Sequence, residues 1–128
     1  MSNTSKPVIA IMYDFDKTLC TKDMQEYSFI PHLGVASDKF WGDVEKLKKA
    51  ENMDPILAYL YMMVKMASDG GVMLTRDNFV ASGKDIKFYP GVEEWFDRIN
   101  GYGEAHGVDI EHYVISSGIK EIIEGTPI

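Results

Sequence analysis

Two hydrophobic patterns follow each other along the chain, and together they predict a mixed α/β protein. A continuous apolar run rich in β-branched residues covers positions 8–13, which is typical of a strand buried on both faces of a parallel sheet. The segment 110–115 is a second strand candidate. Between them, apolar positions recur every three or four residues, as expected for helices with one buried face.

The segment 21–86 reads as helical. Ser37 can cap a helix, and the apolar face of that helix would comprise Phe40, Trp41, Val44 and Leu47. Asp54-Pro55 is an N-cap followed by proline at the first helical position, which is a strong start signal. Gly70-Gly71 predicts the end of that helix, and Thr75 is placed to cap a further short one. No strand pattern of comparable quality interrupts this segment.

The α/β pattern resumes after residue 86. Pro90 is expected to begin a helix that is loosened and ended by Gly101, Gly103 and Gly107. The second strand follows, then Ser116-Ser117-Gly118 and a helix from about 119 to 124. This order predicts an α/β core formed by 1–20 and 87–128, interrupted by a helical cap at 21–86.

Charge and cysteine content narrow the function classes. The formal net charge is −7, which argues against nucleic acid or an anionic membrane as a partner, because either needs a basic patch. The longest apolar stretch, 56–64, is well short of a membrane span. With Cys20 as the single cysteine, no internal disulfide forms and a reducing compartment is expected. The prediction is a cytoplasmic, soluble protein.

Polar side chains follow each predicted strand directly. Asp14 and Asp16 come after the first strand, and Ser116 comes after the second. Open α/β sheets keep their chemistry at the carboxyl ends of the strands. A turn after the first strand would bring both carboxylates toward one pocket, where they could bind Mg²⁺ or act as nucleophiles toward phosphorus. Thr18 would orient its neighbours, and Ser116 with the following helix start would bind an anion.

Here the sequence resembles a known family. The run from Asp14 to Leu19, which ends an apolar strand, closely resembles the first signature motif of the haloacid dehalogenase (HAD) superfamily. The run from Tyr113 to Gly118 resembles the second signature. The helical segment between them is similar to the family's cap inserted after the first strand. The resemblance implies a Rossmann-like parallel-sheet core and covers essentially the whole chain.

The resemblance also implies roles for individual residues. Asp14 would be the nucleophile and a Mg²⁺ ligand. Asp16 would be the general acid and then the base, and its main-chain carbonyl would also ligate the metal. The substrate phosphate would be bound by Thr18, Ser116, Ser117 and Gly118. The implied activity is that of a phosphatase acting on a small phosphorylated metabolite. In the phosphoserine-phosphatase branch a cap carboxylate falls at the position of Asp23, although a helix N-cap is the competing interpretation of that residue.

Two expected parts have no match in the 128 residues. The family also uses a lysine near the phosphoryl group and a late acidic pair that completes the Mg²⁺ site, both after the second signature. Lys120 fits a surface helix better than that lysine role. We therefore expect a C-terminally truncated, inactive fragment of a phosphatase. Two alternatives stay open: phosphoryl transfer of the phosphomutase type, and a non-catalytic relative that forms homo-oligomers through its cap or its unfinished sheet edge.

Overall fold

The computed structural model describes residues 5–128 and has a mixed α/β architecture. Residues 1–4, which belong to the predicted core segment 1–20, lie outside the described residues. The elements in order are β1 Val8–Tyr13, α1 Phe29–His32, α2 Ser37–Glu51, α3 Pro55–Gly70, α4 Arg76–Ser82, α5 Val92–Ala105, β2 Asp109–Val114 and α6 Lys120–Glu124. Two short 3-10 turns occupy Met24–Glu26 and Gly83–Asp85. The prediction of a mixed α/β fold with two strands is confirmed.

The two strands pair in parallel and in register. Val8 lies opposite Asp109, and Tyr13 lies opposite Val114. The pairing continues past the strands, since the Ile115 N–H donates to the Tyr13 carbonyl at 2.8 Å. Helix α5 packs against β2. Because parallel strands end at the same edge, the segments that follow β1 and β2 start next to each other.

The prediction that the first strand is buried on both faces is wrong for this chain. The large apolar side chains exposed on the two strands and just after them include Val8, Ile9, Met12, Tyr113, Val114 and Ile115. The apolar run at 8–13 shows only that these residues are suited to burial. Burial itself requires layers on both faces, and among residues 5–128 a two-stranded sheet with α5 beside it does not supply them.

The helix boundaries follow local capping chemistry. The Asp54 carboxylate accepts from the N–H groups of Ile56 at 2.9 Å and Leu57 at 3.2 Å. Helix α3 ends at Gly70 and is capped by Gly71, whose φ of 68° is left-handed. Thr75 caps α4 by accepting from the Asn78 N–H at 3.2 Å. These three predictions are confirmed.

Two other boundary predictions need correction. Ser37 is the first residue of α2 rather than its cap, and its hydroxyl donates to the Glu26 carboxylate. Helix α5 begins after Gly91 and runs through Gly101 and Gly103 to Ala105. Gly103 does not end the helix. It lets α5 approach β2 closely, because a Cβ there would collide with the Ile110 side chain and the Val108 carbonyl.

The buried apolar residues form two clusters. One joins α1, α2 and α3 and comprises Phe29, Ile30, Phe40, Val44, Ala58, Tyr59, Met62 and Met63. The other lies around the turn after β1 and comprises Phe15, Leu19, Cys20, Met24, Ile86 and Ile122. Phe79 and Ile119 pack against both clusters. Helix α4 packs against α6, with Gly125 tight against the Val80 backbone. The cap and core boundaries stay a prediction.

No helix within the described range 5–128 combines the length and the apolar character that crossing a bilayer requires.

Candidate active site

The turn after β1 is built around one backbone carbonyl. The Phe15 carbonyl accepts from the N–H groups of Thr18, Leu19 and Cys20 at 3.2, 3.0 and 3.3 Å. Lys17 has a left-handed φ of 59°, which few residues with a side chain adopt. The Phe15 side chain is fully buried and anchors the turn in the cluster below it. The expected turn between Asp14 and Thr18 is therefore present.

Asp14 stands at the exposed rim of this turn. Its carboxylate accepts a hydrogen bond from the Thr18 hydroxyl at 3.1 Å, which is the orienting contact expected of Thr18. The residue before it, Tyr13, pairs with Val114 at the end of the sheet. Asp14 is therefore the first residue after β1, and the segment that it begins lies beside the segment after β2 that leads to Ser116. An exposed carboxylate oriented by a neighbouring hydroxyl is available to a metal ion or to a phosphorus centre.

Asp16 lies deeper than Asp14, and burial changes its acidity. The Met24 N–H donates to its carboxylate at 2.7 Å. Burial raises the pKa of Asp16 to about 6, and the nearby carboxylates of Asp23 and Asp14 add to this effect, whereas the Met24 hydrogen bond opposes it. A carboxyl group with such a pKa exchanges a proton near neutral pH, which suits a general acid or base.

Met24 connects the two segments that follow the strands. Its N–H holds Asp16, and its sulfur accepts from the Ile119 N–H at 3.1 Å. Gly118 packs directly on the Met24 side chain, and a Cβ on Gly118 would overlap its terminal atoms. The Ser116 hydroxyl accepts from the Gly118 N–H at 3.0 Å. The glycine therefore allows the loop after β2 to close against the turn after β1.

Tyr59 links α3 to the same loop. Its hydroxyl donates to the Ser117 carbonyl at 2.6 Å. Burial raises the pKa of Tyr59, and the charge of Asp16 raises it further, whereas a hydrogen bond from Gln25 lowers it. Tyr59 is buried and also reaches the predicted site.

A cleft of about 360 Å³ opens between the helices α2 and α3 and the predicted site. Its lining residues are Asp16, Asp23, Gln25, Trp41, Val44, Glu45, Lys48, Pro55, Ile56, Tyr59, Ser117 and Gly118. Of the predicted site residues, Asp16, Asp23, Ser117 and Gly118 line it. Asp14, Thr18 and Ser116 are not part of this lining within residues 5–128. The volume is in the range of small-ligand sites.

Asp23 combines two contacts. Its carboxylate lies 2.7 Å from the Lys17 ammonium, and its carbonyl accepts from the Glu26 N–H at 3.0 Å at the start of a 3-10 turn. The residue also lines the cleft. The cap position and the substrate-facing position are thus compatible, and the role of Asp23 toward a substrate stays a prediction.

The metal donor set in the described chain is small. Asp14 and Asp16 supply hard carboxylate oxygens, the donor type that Mg²⁺ prefers. Across residues 5–128, however, no group of three or more His, Cys, Asp or Glu side chains comes together as a metal site. The carboxylates present are of the donor type that Mg²⁺ prefers, but they do not form a complete site within residues 5–128.

Several residues of the cleft, and Met24 in the turn beside it, were not predicted as site residues from the sequence. Trp41, Glu45 and Lys48 were open to detection, because their spacing places them on one face of α2. Gln25 lies in a short 3-10 turn that no periodic pattern announces, and Met24 acts through a backbone N–H and a sulfur. Neither carried a readable signal.

Comparison with known proteins finds a relative of this chain. A Borreliella burgdorferi protein described as uncharacterized is 28% identical over 138 aligned positions, which cover 98% of this chain and 47% of the relative. The chain thus spans about half the length of this curated relative. No family model matches the chain, and no solved structure matches it.

Proposed function

We propose that this chain carries part of a Mg²⁺-dependent phosphomonoester hydrolase of the HAD superfamily. The observation that carries the proposal is the meeting of two segments at one sheet edge. The turn with Asp14, Asp16 and Thr18 follows β1, and the loop that starts at Ser116 follows the parallel β2. On this proposal β1, α5 and β2 are the first part of a Rossmann-like core, and α1 to α3 belong to its cap.

In the first step, an Asp14 carboxylate oxygen forms a bond to phosphorus as the bond from phosphorus to the leaving oxygen breaks. Asp16, in its protonated form, gives its proton to that leaving oxygen. In the second step, the Asp16 carboxylate takes a proton from water, whose oxygen attacks phosphorus and releases Asp14. The pKa of Asp16, raised to about 6, supports both roles because neither protonation state is costly near neutral pH.

Asp14 and Asp16 would hold the metal, which supplies positive charge to the phosphoryl oxygens when bound. The hydroxyl of Ser116 and the backbone of Ser117 and Gly118 would bind the phosphate from the other side. The lysine and the acidic pair that the family uses would come from residues outside these 128. The greater length of the Borreliella relative is compatible with this arrangement.

The test is phosphate release by the full protein encoded in the source gene, with p-nitrophenyl phosphate and a panel of metabolite esters. We expect Mg²⁺-dependent release that Asp14→Asn abolishes, with Asp97→Asn as a control carboxylate on α5. Retained turnover in Asp14→Asn would contradict the nucleophile assignment. Recovery of a rearranged sugar phosphate instead of free phosphate would favour phosphoryl transfer of the phosphomutase type.

The apolar sheet surface supports a second candidate, a non-catalytic chain that self-associates. Met12 is 65% exposed and Ile115 is 61% exposed, and open strand edges are templates for pairing. Sedimentation at several concentrations tests this. Association that Met12→Lys removes would support it, and a chain that stays monomeric at all concentrations would exclude it.

A further inference from the structure

Two buried polar side-chain atoms have no hydrogen-bond partner among residues 5–128. They are the side-chain oxygen of Gln25 and the indole nitrogen of Trp41. Both residues line the cleft. Gln25 is only 3% exposed. Because buried polar groups are nearly always hydrogen-bonded, an unpaired acceptor and an unpaired donor in one cleft point to a ligand that supplies the opposite groups.

The charges of the cleft restrict that ligand. Asp16, Asp23 and Glu45 contribute carboxylates. Lys48 is the one cation in the lining among residues 5–128, and its ammonium lies 2.7 Å from the Glu45 carboxylate. A ligand carboxylate would therefore meet an excess of negative charge with no cation left to balance it. A hydroxyl group fits better, because it donates to the Gln25 oxygen and accepts from the Trp41 N–H.

We propose that Gln25 and Trp41 select phosphate monoesters of uncharged, hydroxyl-bearing alcohols, and reject esters that carry a carboxylate. This inference rests on the proposed function for the phosphoryl end of the ligand, which would lie against Asp16, Ser117 and Gly118. The hydroxyl-bearing end would lie against Gln25 and Trp41, on the side of the cleft where the Trp41 ring packs edge-on against the Tyr59 ring at a centroid distance of 6.2 Å. Gln25 and Trp41 determine which ester binds, and they take no part in bond making or breaking.

The two tryptophans of the chain provide a binding measurement with an internal reference. The Trp95 indole N–H is already bonded to the Tyr13 hydroxyl at 2.8 Å, whereas that of Trp41 is unpaired. We would follow both indole N–H signals by nitrogen-15 NMR, in the presence of Mg²⁺, while adding one of three probes. Glycerol phosphate carries two hydroxyls, propyl phosphate carries none, and phosphoglycerate carries one hydroxyl and a carboxylate in place of the other. Trp41→Phe and Trp95→Phe assign the two signals.

We expect glycerol phosphate to move the Trp41 signal and leave the Trp95 signal in place, with a Kd at least about tenfold below those of the other two probes. Gln25→Met, which removes the acceptor at similar volume, should bring the three Kd values within about threefold of each other. Equal Kd values in the unsubstituted chain, or a stationary Trp41 signal with all three probes, would overturn the inference.

Turnover by the full protein separates this inference from the proposed function. The same three esters are compared by kcat/KM in the unsubstituted protein, Trp41→Phe and Trp95→Phe. A glycerol phosphate preference that Trp41→Phe reduces through KM, and Trp95→Phe leaves unchanged, supports the inference. Turnover without that preference overturns the inference and leaves the hydrolase intact. Selective binding without turnover supports the inference and removes the hydrolase.

Discussion

The hydroxyl of Tyr59 donates a 2.6 Å hydrogen bond to the carbonyl of Ser117. This contact joins α3, in the predicted cap, to the loop that follows β2, in the predicted core. Tyr59 and Ser117 both line the cleft, as does Asp16. The position of α3 relative to the loop after β2 is therefore determined in part by one side chain.

Removing this hydrogen bond should destabilise the chain. In Tyr59→Phe the Ser117 carbonyl loses its donor and the ring keeps its packing, so we expect the free energy of unfolding to fall by about 1 kcal/mol. Urea denaturation measures the change. Tyr61→Phe is the matched control, because Tyr61 lies on the same helix and is 51% exposed. Equal stability of the two variants would show that the contact contributes nothing.

Gly118 should tolerate no larger residue. In Gly118→Ala the new methyl overlaps the end of the Met24 side chain, and the loop after β2 must move away from the turn after β1. We expect a loss of about 1–3 kcal/mol in unfolding free energy, as for an overpacked core.

The matched control for Gly118→Ala is Gly42→Ala. Gly42 lies inside α2, and a Cβ there meets nothing within 4 Å. Removing glycine from a helix interior should stabilise the chain by about 0.5–1 kcal/mol. Thermal or urea unfolding of both variants tests the pair. A Gly118→Ala protein as stable as the parent would refute the close packing on Met24.

The raised pKa of Asp16 predicts that the stability of the folded chain depends on pH. Its folded pKa of about 6 lies above the ordinary value of 3.8, so the folded chain binds the proton more tightly than the unfolded one. The contribution of this group to stability is therefore favourable at low pH and is lost as pH rises from about 4 to 6. After allowance for solvent screening of this half-buried carboxylate, the loss is about 1–2 kcal/mol.

Asp16→Asn removes the titration and leaves an oxygen for the Met24 N–H. The difference in unfolding free energy between parent and variant should therefore shift in favour of the variant between about pH 4 and pH 6. Urea denaturation across this range measures it, with the exposed Asp97→Asn as reference. A parent-minus-variant difference independent of pH would show that burial does not raise the pKa of Asp16.

The sequence predicted the elements where the signal is local. Asp54-Pro55, Gly71 and Thr75 act through neighbouring backbone groups, so the pattern of a few residues suffices. The turn after β1 was also within reach, since its chemistry lies in 14–18. Strand burial was not, because it depends on layers that distant parts of a protein supply. The same reason explains the exposure of Trp95 on the apolar face of α5.

The cleft was the least predictable part of the site. Asp16 and Ser117 were expected in the site, but Gln25 reaches the cleft from a short 3-10 turn, and the neighbouring Met24 contacts Asp16 and Ile119 from the same turn. Their roles depend on a backbone N–H, a sulfur and an amide oxygen that become significant only when α2, α3 and the loop after β2 meet. No spacing rule encodes such a meeting. The unpaired atoms of Gln25 and Trp41 are visible only in three dimensions.

The most direct test of the central claim is to trap the phosphorylated residue. The full protein would be mixed with a turned-over phosphate ester, quenched in acid and reduced with borohydride, which converts an aspartyl-phosphate to homoserine. Peptide mass spectrometry then locates the change. The account predicts homoserine at position 14 and none at position 16, with the signal lost in Asp14→Asn. Phosphate release with an unmodified Asp14, or homoserine at another residue, would contradict it.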